Sequence, residues 1–193
     1  MVVDPLVDIL YKLPNSALIA IVGNPYTYTF HVGIELLKRR YLNYNWYIIV
    51  DGSAQRYGDI LKSYGVVKDN MVFVDELSEG LITLEKLLKE DNNLIYTVLD
   101  GNPSYIEDYR KVLMRRDPSV RSVVTIQVDE EHYKPIAYNA DLIVRLRVVE
   151  DSSSLKTISR LVKLILVRGG VAELLLSYEV LSNGVIFKEF TWV

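Results

Sequence analysis

Residues 21–32 read IVGNPYTYTFHV. Ile21 and Val22 close an apolar run that begins at Ala17, Gly23-Asn24-Pro25 breaks it, and tyrosines and threonines lead into a helical pattern over 27–42. Strand, glycine turn and helix in that order is how many proteins build a phosphate cradle, because turn N–H groups and the positive end of a helix then converge on one anion. A working cradle also needs further glycines, a lysine for the outer phosphate oxygens and a hydroxyl for magnesium. The nearest lysine here is Lys38, about two turns further along the helix.

Outward from this stretch, short β-rich runs alternate with amphipathic ones. ALIAIV (17–22), WYIIV (46–50), MVFV (71–74), LIYTVL (94–99) and SVVTIQV (122–128) are almost uninterrupted apolar runs, as in strands covered on both faces of a parallel sheet. Helices are expected over 27–42, 54–64, 77–91 and 104–116. In the third, Leu77, Leu81, Leu84, Leu87 and Leu88 recur on one face, Asp75 or Ser78 is placed to open the helix, and Asn92-Asn93 to close it. Strand alternating with helix predicts an α/β fold.

After residue 140 the rhythm changes. DLIVRLRVVE, TISRLVKLILVR, AELLLSYEVL and GVIFKEFTWV follow one another across short turns, a hairpin turn at EDSSSLK (150–156) and another at Gly169-Gly170 among them. They read as antiparallel strands extending the sheet. A helix over 155–168 is the alternative, carried by Leu155, Ile158, Leu161, Val162 and Ile165.

Composition excludes several classes of function. A chain of 193 residues, half of them hydrophobic, suits one domain with a sizeable core. It has no cysteine, so thiolate catalysis, disulfides and zinc–thiolate sites are ruled out, and its two histidines are few for a metal site. A net charge of −3 gives no general attraction to nucleic acid or anionic membrane. The first residues, MVVDPLVDILYKLP, carry acids where a secretion signal needs bases, and no apolar run reaches membrane-spanning length, so a cytoplasmic protein is expected. Abundant Ile, Val and Tyr with little Gln suit a thermophile.

The order of elements resembles the RecA-like ATPase core, in particular its KaiC-like and RadA-like branch, from about residue 4 to the C-terminus. GNPYTYTF (23–30) aligns without a gap on the branch's phosphate loop, GxPGTGKT. GIELLKRRYLNYNWYIIVDGSAQRYGDILKSYG is similar to the helix, strand and helix that follow, and NLIYTVLDG to the strand ending in the magnesium-linked Asp. VVTIQV resembles the strand ending in a phosphate-sensing residue, and the stretch from Asn139 to Phe187 the closing strands. The resemblance implies a single RecA-like domain over 1–193: a mostly parallel central sheet flanked by helices and extended by antiparallel strands.

It also assigns site positions, and most of the chemistry is missing from them. Gly23 is kept, with Asn24, Pro25 and Thr27 around it. Tyr26 and Tyr28 stand at the second and third glycines, Thr29 at the lysine and Phe30 at the metal-binding hydroxyl. Asp51 falls at the catalytic carboxylate in a KaiC-like alignment, where a RadA-like one puts Ser53. Asp100 matches the magnesium-linked acid and Gln127 the sensor. Losing one transition-state donor costs about 10²–10³ in rate, and here a cation and a metal ligand are both gone.

Plainer roles compete at every position. Asp51 and Asp100 suit helix or turn caps, Gln127 a strand terminus, and Tyr26, Tyr28 and Tyr105 suit a packed plug in the vacated pocket. His132 with Asp129 and Glu131 suits a solvated acidic loop better than a metal site. Lys38-Arg39-Arg40 and Arg115-Arg116 suit exposed helix ends, with a modest phosphate contact as the alternative. The expectation is a non-catalytic RecA-like domain that regulates or assembles with a protein partner, such as an active paralogue or further copies of itself. No metal or cofactor is expected, with ATP or ADP the ligands to test. The alternatives are a nucleotide- or anion-binding sensor without hydrolysis, and an accessory factor in DNA recombination or repair. Strong nucleic-acid binding is disfavoured by the acids of DEEHYKPIAYN (129–139).

Overall fold

The computed structural model describes residues 4–66, 71–150, 158–168 and 172–192. Helix α1 (Pro5–Tyr11) is followed by β1 (Leu18–Val22), α2 (Thr29–Tyr41), β2 (Asn45–Ile49), α3 (Ala54–Ser63), β3 (Val72–Val74), α4 (Leu77–Leu87) and β4 (Asn93–Val98). Then come α5 (Ile106–Leu113), β5 (Ser122–Val128), the single turn α6 (Lys134–Ala137), and β6 (Leu142–Glu150), β7 (Ile158–Leu166), β8 (Ala172–Leu181) and β9 (Gly184–Trp192).

All nine strands form one sheet, ordered β3-β2-β4-β5-β1-β6-β7-β8-β9. Neighbours from β3 to β6 pair in parallel, and β7, β8 and β9 add on antiparallel to one another and to β6. The architecture is therefore the expected one. β7 settles 158–166 as strand, so the helical alternative there is wrong: its Leu/Val/Ile positions satisfy a period of two as well, and pairing on both sides decides between them. The two expected turns, at 151–156 and 169–170, lie outside the described residues.

The sheet separates two cores, and β1 shows why its run is continuous. Ile19 and Ile21 face α1 and α2, while Leu18, Ala20 and Val22 face α4, α5 and α6. In β7 and β8 only one face is buried: Val162, Leu164, Leu174, Leu176 and Tyr178 join the α1–α2 side. Helix α2 lies tightly on the sheet because Gly33 meets Tyr96 and Ile21 where any side chain would clash.

Capping differs from expectation. Helix α4 opens at Glu76, with no side-chain cap from Asp75 or Ser78. It stops at Leu87, and Asn93 closes it from the start of β4, its amide donating to the carbonyls of Leu87 (3.3 Å) and Glu90 (3.1 Å). Nor are Lys38, Arg39 and Arg40 a free basic end. Lys38 pairs with Glu35 at 2.8 Å, Arg39 with Asp4, and Arg40 donates to the carbonyls of Leu10 and Leu13, so the run ties α1 to α2. Arg116 likewise turns inward to the fully buried Asp141 (3.2 Å), leaving Arg115 exposed. No helix among the described residues is long and apolar enough to cross a membrane.

Candidate functional site

β1 delivers Gly23 to the middle of the sheet, between β5 and β6, where its N–H donates to the carbonyl of Val128 at 3.3 Å. The loop that follows is closed on itself. Pro25–Thr27 form one turn of 3₁₀ helix, and Thr27 gives both its N–H (2.9 Å) and its hydroxyl (2.6 Å) to the carbonyl of Asn24. The hydroxyls of Thr27 and Thr29 lie 3.0 Å apart, and both residues are buried, 1% and 4% exposed. They crowd Gly23: a Cβ there would lie 2.5 Å from the Thr27 hydroxyl and 3.1 Å from that of Thr29. From β8, the hydroxyl of Tyr178 donates to the carbonyl of Thr27 at 2.6 Å and braces the turn.

The next residues complete the closure. Tyr28, at a glycine position of the loop it resembles, keeps a left-handed backbone (φ 54°, ψ 45°), which costs a residue with a Cβ about 1–2 kcal/mol. Its ring lies under the guanidinium of Arg160 (5.1 Å) and against the edge of His31 (5.3 Å), contacts that offset the strain. Phe30, 4% exposed, packs edge-on against Tyr57 (4.6 Å) and Tyr96 (5.0 Å). The expected tyrosine plug is therefore mistaken in its residues. Tyr26 is 80% exposed, Tyr28 lies half outside, and Tyr105 packs in the core on the other side of the sheet. Small threonines and Phe30 take the space because they follow the loop's own turn inward, while Tyr26 projects from its crest.

Of the remaining positions, Asp100 and Gln127 meet and Asp51 does not join them. Tyr96 on β4 donates to Gln127 Oε1 (2.8 Å), and Gln127 on β5 donates through Nε2 to Asp100 Oδ2 (2.5 Å). Asp100 Oδ1 is buried without a hydrogen-bond partner. Burial pushes the Asp100 carboxyl up to about 6, against the Gln127 hydrogen bond and helped by the nearby charge of Asp129. Burial, with Asp100 and Tyr57 close by, raises the Tyr96 phenol well above its usual value. Asp51 is exposed beyond β2. His132 is held by Asp129 (2.6 Å), and among the described residues no group of three His, Asp or Glu converges as metal ligands.

Residues 23–30 include no lysine or arginine, Phe30 brings a ring and no hydroxyl, and the Thr27–Thr29 pair occupies the turn's interior. Asp100 keeps a buried carboxylate oxygen without a hydrogen-bond partner. The braces Tyr57, Tyr96 and Tyr178 escape a reading of the sequence. Alternation marks Tyr178 as an inward position, but nothing local points it at a residue 151 positions away.

No protein-family model and no curated protein matches the chain in sequence. Among solved structures it is similar to the crystal structure of the flagellar accessory protein FlaH from Methanocaldococcus jannaschii, with a TM-score of 0.68 over 98% of this chain and 97% of that one, at 12% identity. At that identity the likeness speaks for the fold alone, and the fold is the RecA-like α/β fold.

Proposed function

We propose that the chain is a RecA-like domain of the KaiC-like and RadA-like kind that does not hydrolyse ATP and serves as a regulatory or assembly partner, of an active RecA-family paralogue in the first instance. One observation carries this: the loop where such proteins cradle phosphate is filled by its own Thr27 and Thr29 hydroxyls and flanked by buried Phe30. Phosphoryl transfer relies on positioning and charge stabilisation, and a loop without lysine or metal hydroxyl supplies neither. The chain Tyr96–Gln127–Asp100 fits a structural role, since Tyr96 holds Gln127 and Gln127 holds one oxygen of Asp100. FlaH, an accessory protein by its name, gives a part of this kind a precedent on the same fold.

The test is phosphate release from magnesium ATP, with calorimetric titration of ATP and ADP with and without magnesium. Release at the buffer rate and no heat at millimolar nucleotide are expected. Binding without turnover would favour the nucleotide-sensor alternative. Turnover that Asp100→Ala abolishes would overturn the proposal.

A further inference from the structure

Beside the filled loop runs an open trough. Two adjoining hollows of about 580 and 670 Å³ share Tyr28, His31, Asp59 and Ile60, so they form one groove from Arg56 on α3 to Leu181 and Ser182 where β8 ends. One wall is aromatic, with His31 touching the edges of Tyr28 (5.3 Å) and Tyr64 (5.7 Å). Arg160 of β7 lies over the Tyr28 ring, and its Nε is buried without an acceptor.

The arginines of this groove differ from the others. Elsewhere guanidiniums rest on acceptors: Arg116 and Arg168 on Asp141, Arg145 on Glu130, Arg40 on the Leu10 and Leu13 carbonyls. Among the described residues the guanidiniums of Arg56 and Arg160 make no hydrogen bond and no ion pair, and both line the same groove. One carboxylate, Asp59, faces them there. Tyr28 and Leu181, 42% and 39% exposed, add apolar surface along the rim.

We infer that this trough docks an acidic segment of a partner protein, its carboxylates taken by Arg56 and Arg160 and its apolar side chains laid along Tyr28, Ile60 and Leu181. The inference rests on the partner role proposed above and names the chemistry of that partner. Charge complementarity selects the occupant: two guanidiniums outside any ion pair, with Asp59 as the one carboxylate lining the groove, leave a positive balance that favours carboxylates in paired geometry. An open groove across α2, α3 and β7–β8 suits an extended chain better than an enclosed ligand does. A chain with net charge −3 lacks the broad positive field that nucleic acid requires.

The experiment selects eight-residue peptides from a random library on the native chain, with the Arg56→Gln/Arg160→Gln variant as counter-target once its circular dichroism matches the native protein. A selected peptide is then titrated while the imidazole NMR signals are followed. With only two histidines in the chain, His31 reports the groove and His132 serves as control. Enrichment in Asp and Glu, a saturable shift of His31 with His132 still, and at least tenfold weaker binding to the double variant are expected. Peptides without acidic enrichment, or equal binding to the variant, would overturn the inference. So would a His31 signal that changes on dilution of the protein alone, since a second copy would then fill the groove, or saturation of the same shift by inorganic pyrophosphate. ATP turnover in the same preparation would sink the non-catalytic reading and leave these peptide results standing, so the two failures are told apart.

Discussion

Asp100 sits where burial opposes its charge, with one oxygen held by Gln127 and the other unpartnered. Its carboxyl is raised from 3.8 to about 6, so between those values the folded chain holds a proton that the unfolded chain releases. Stability therefore falls as pH climbs through that window, and the full penalty, on the order of 2–3 kcal/mol, applies above it. Asp100→Asn keeps an acceptor for Gln127 and removes the charge. It is expected to raise the thermal midpoint at pH 7.5, with the gain shrinking as pH is lowered toward 4. A gain equal at both pH values would mean that packing, not charge, is responsible. At this scale the sequence shows which side chains the loop lacks, since residues 23–30 hold no lysine and the Phe30 side chain no oxygen. It does not show what fills the space, because whether Thr27 or Tyr26 turns inward depends on the 3₁₀ turn and on Tyr178.

At the scale of elements, α2 holds the molecule together through a carboxylate in its middle. Glu35 is 7% exposed, pairs with Lys38, and accepts the Val185 N–H of β9 at 3.4 Å. Gly184 leaves it room, since a Cβ there would stand 3.2 Å from Glu35 Oε2. Removing the acceptor strands a buried N–H, so Glu35→Ala is expected to lose about 1–3 kcal/mol in urea unfolding with an unchanged slope. Glu35→Gln, which still accepts, is expected to lose less; an equal loss would count against this bond. Element positions were largely legible, because continuous apolar runs mark β1, β4 and β5 and leucine spacing marks α4. Element ends were less so. Asn93 closes α4 as its place in the sequence suggests, though from the next strand, while the basic end of α2 finds its partners around α1, contacts no local pattern encodes.

Across the whole molecule the sheet ends in two edges, and each is blunted. β3 is three residues long. β9 is long, but its register with β8 shifts between Leu176 and Ser177, stepping from Phe190 to Lys188, and Lys188 is exposed and paired with Glu179. A bulge and an edge lysine are both devices against edge-to-edge pairing. Lys188→Ile is therefore expected to leave the thermal midpoint nearly unchanged and to produce concentration-dependent light scattering; scattering like that of the native protein would show that the bulge suffices. The alternation of runs and helices was enough to expect a mostly parallel sheet extended by antiparallel strands, while the order of the strands comes from the structure. The irregularity in β9 has a trace in the sequence, since two polar residues, Lys188 and Glu189, stand together between Phe187 and Phe190 where strict alternation would place one. The bond from Tyr178 to the carbonyl of Thr27 spans 151 residues, and it sets an order in time. A chain made from its N-terminus has the loop before it has the brace, which arrives only when β8 has been synthesised and added to the sheet. Thr27 in the loop at 23–30 is thus synthesised 151 residues ahead of the side chain that braces it.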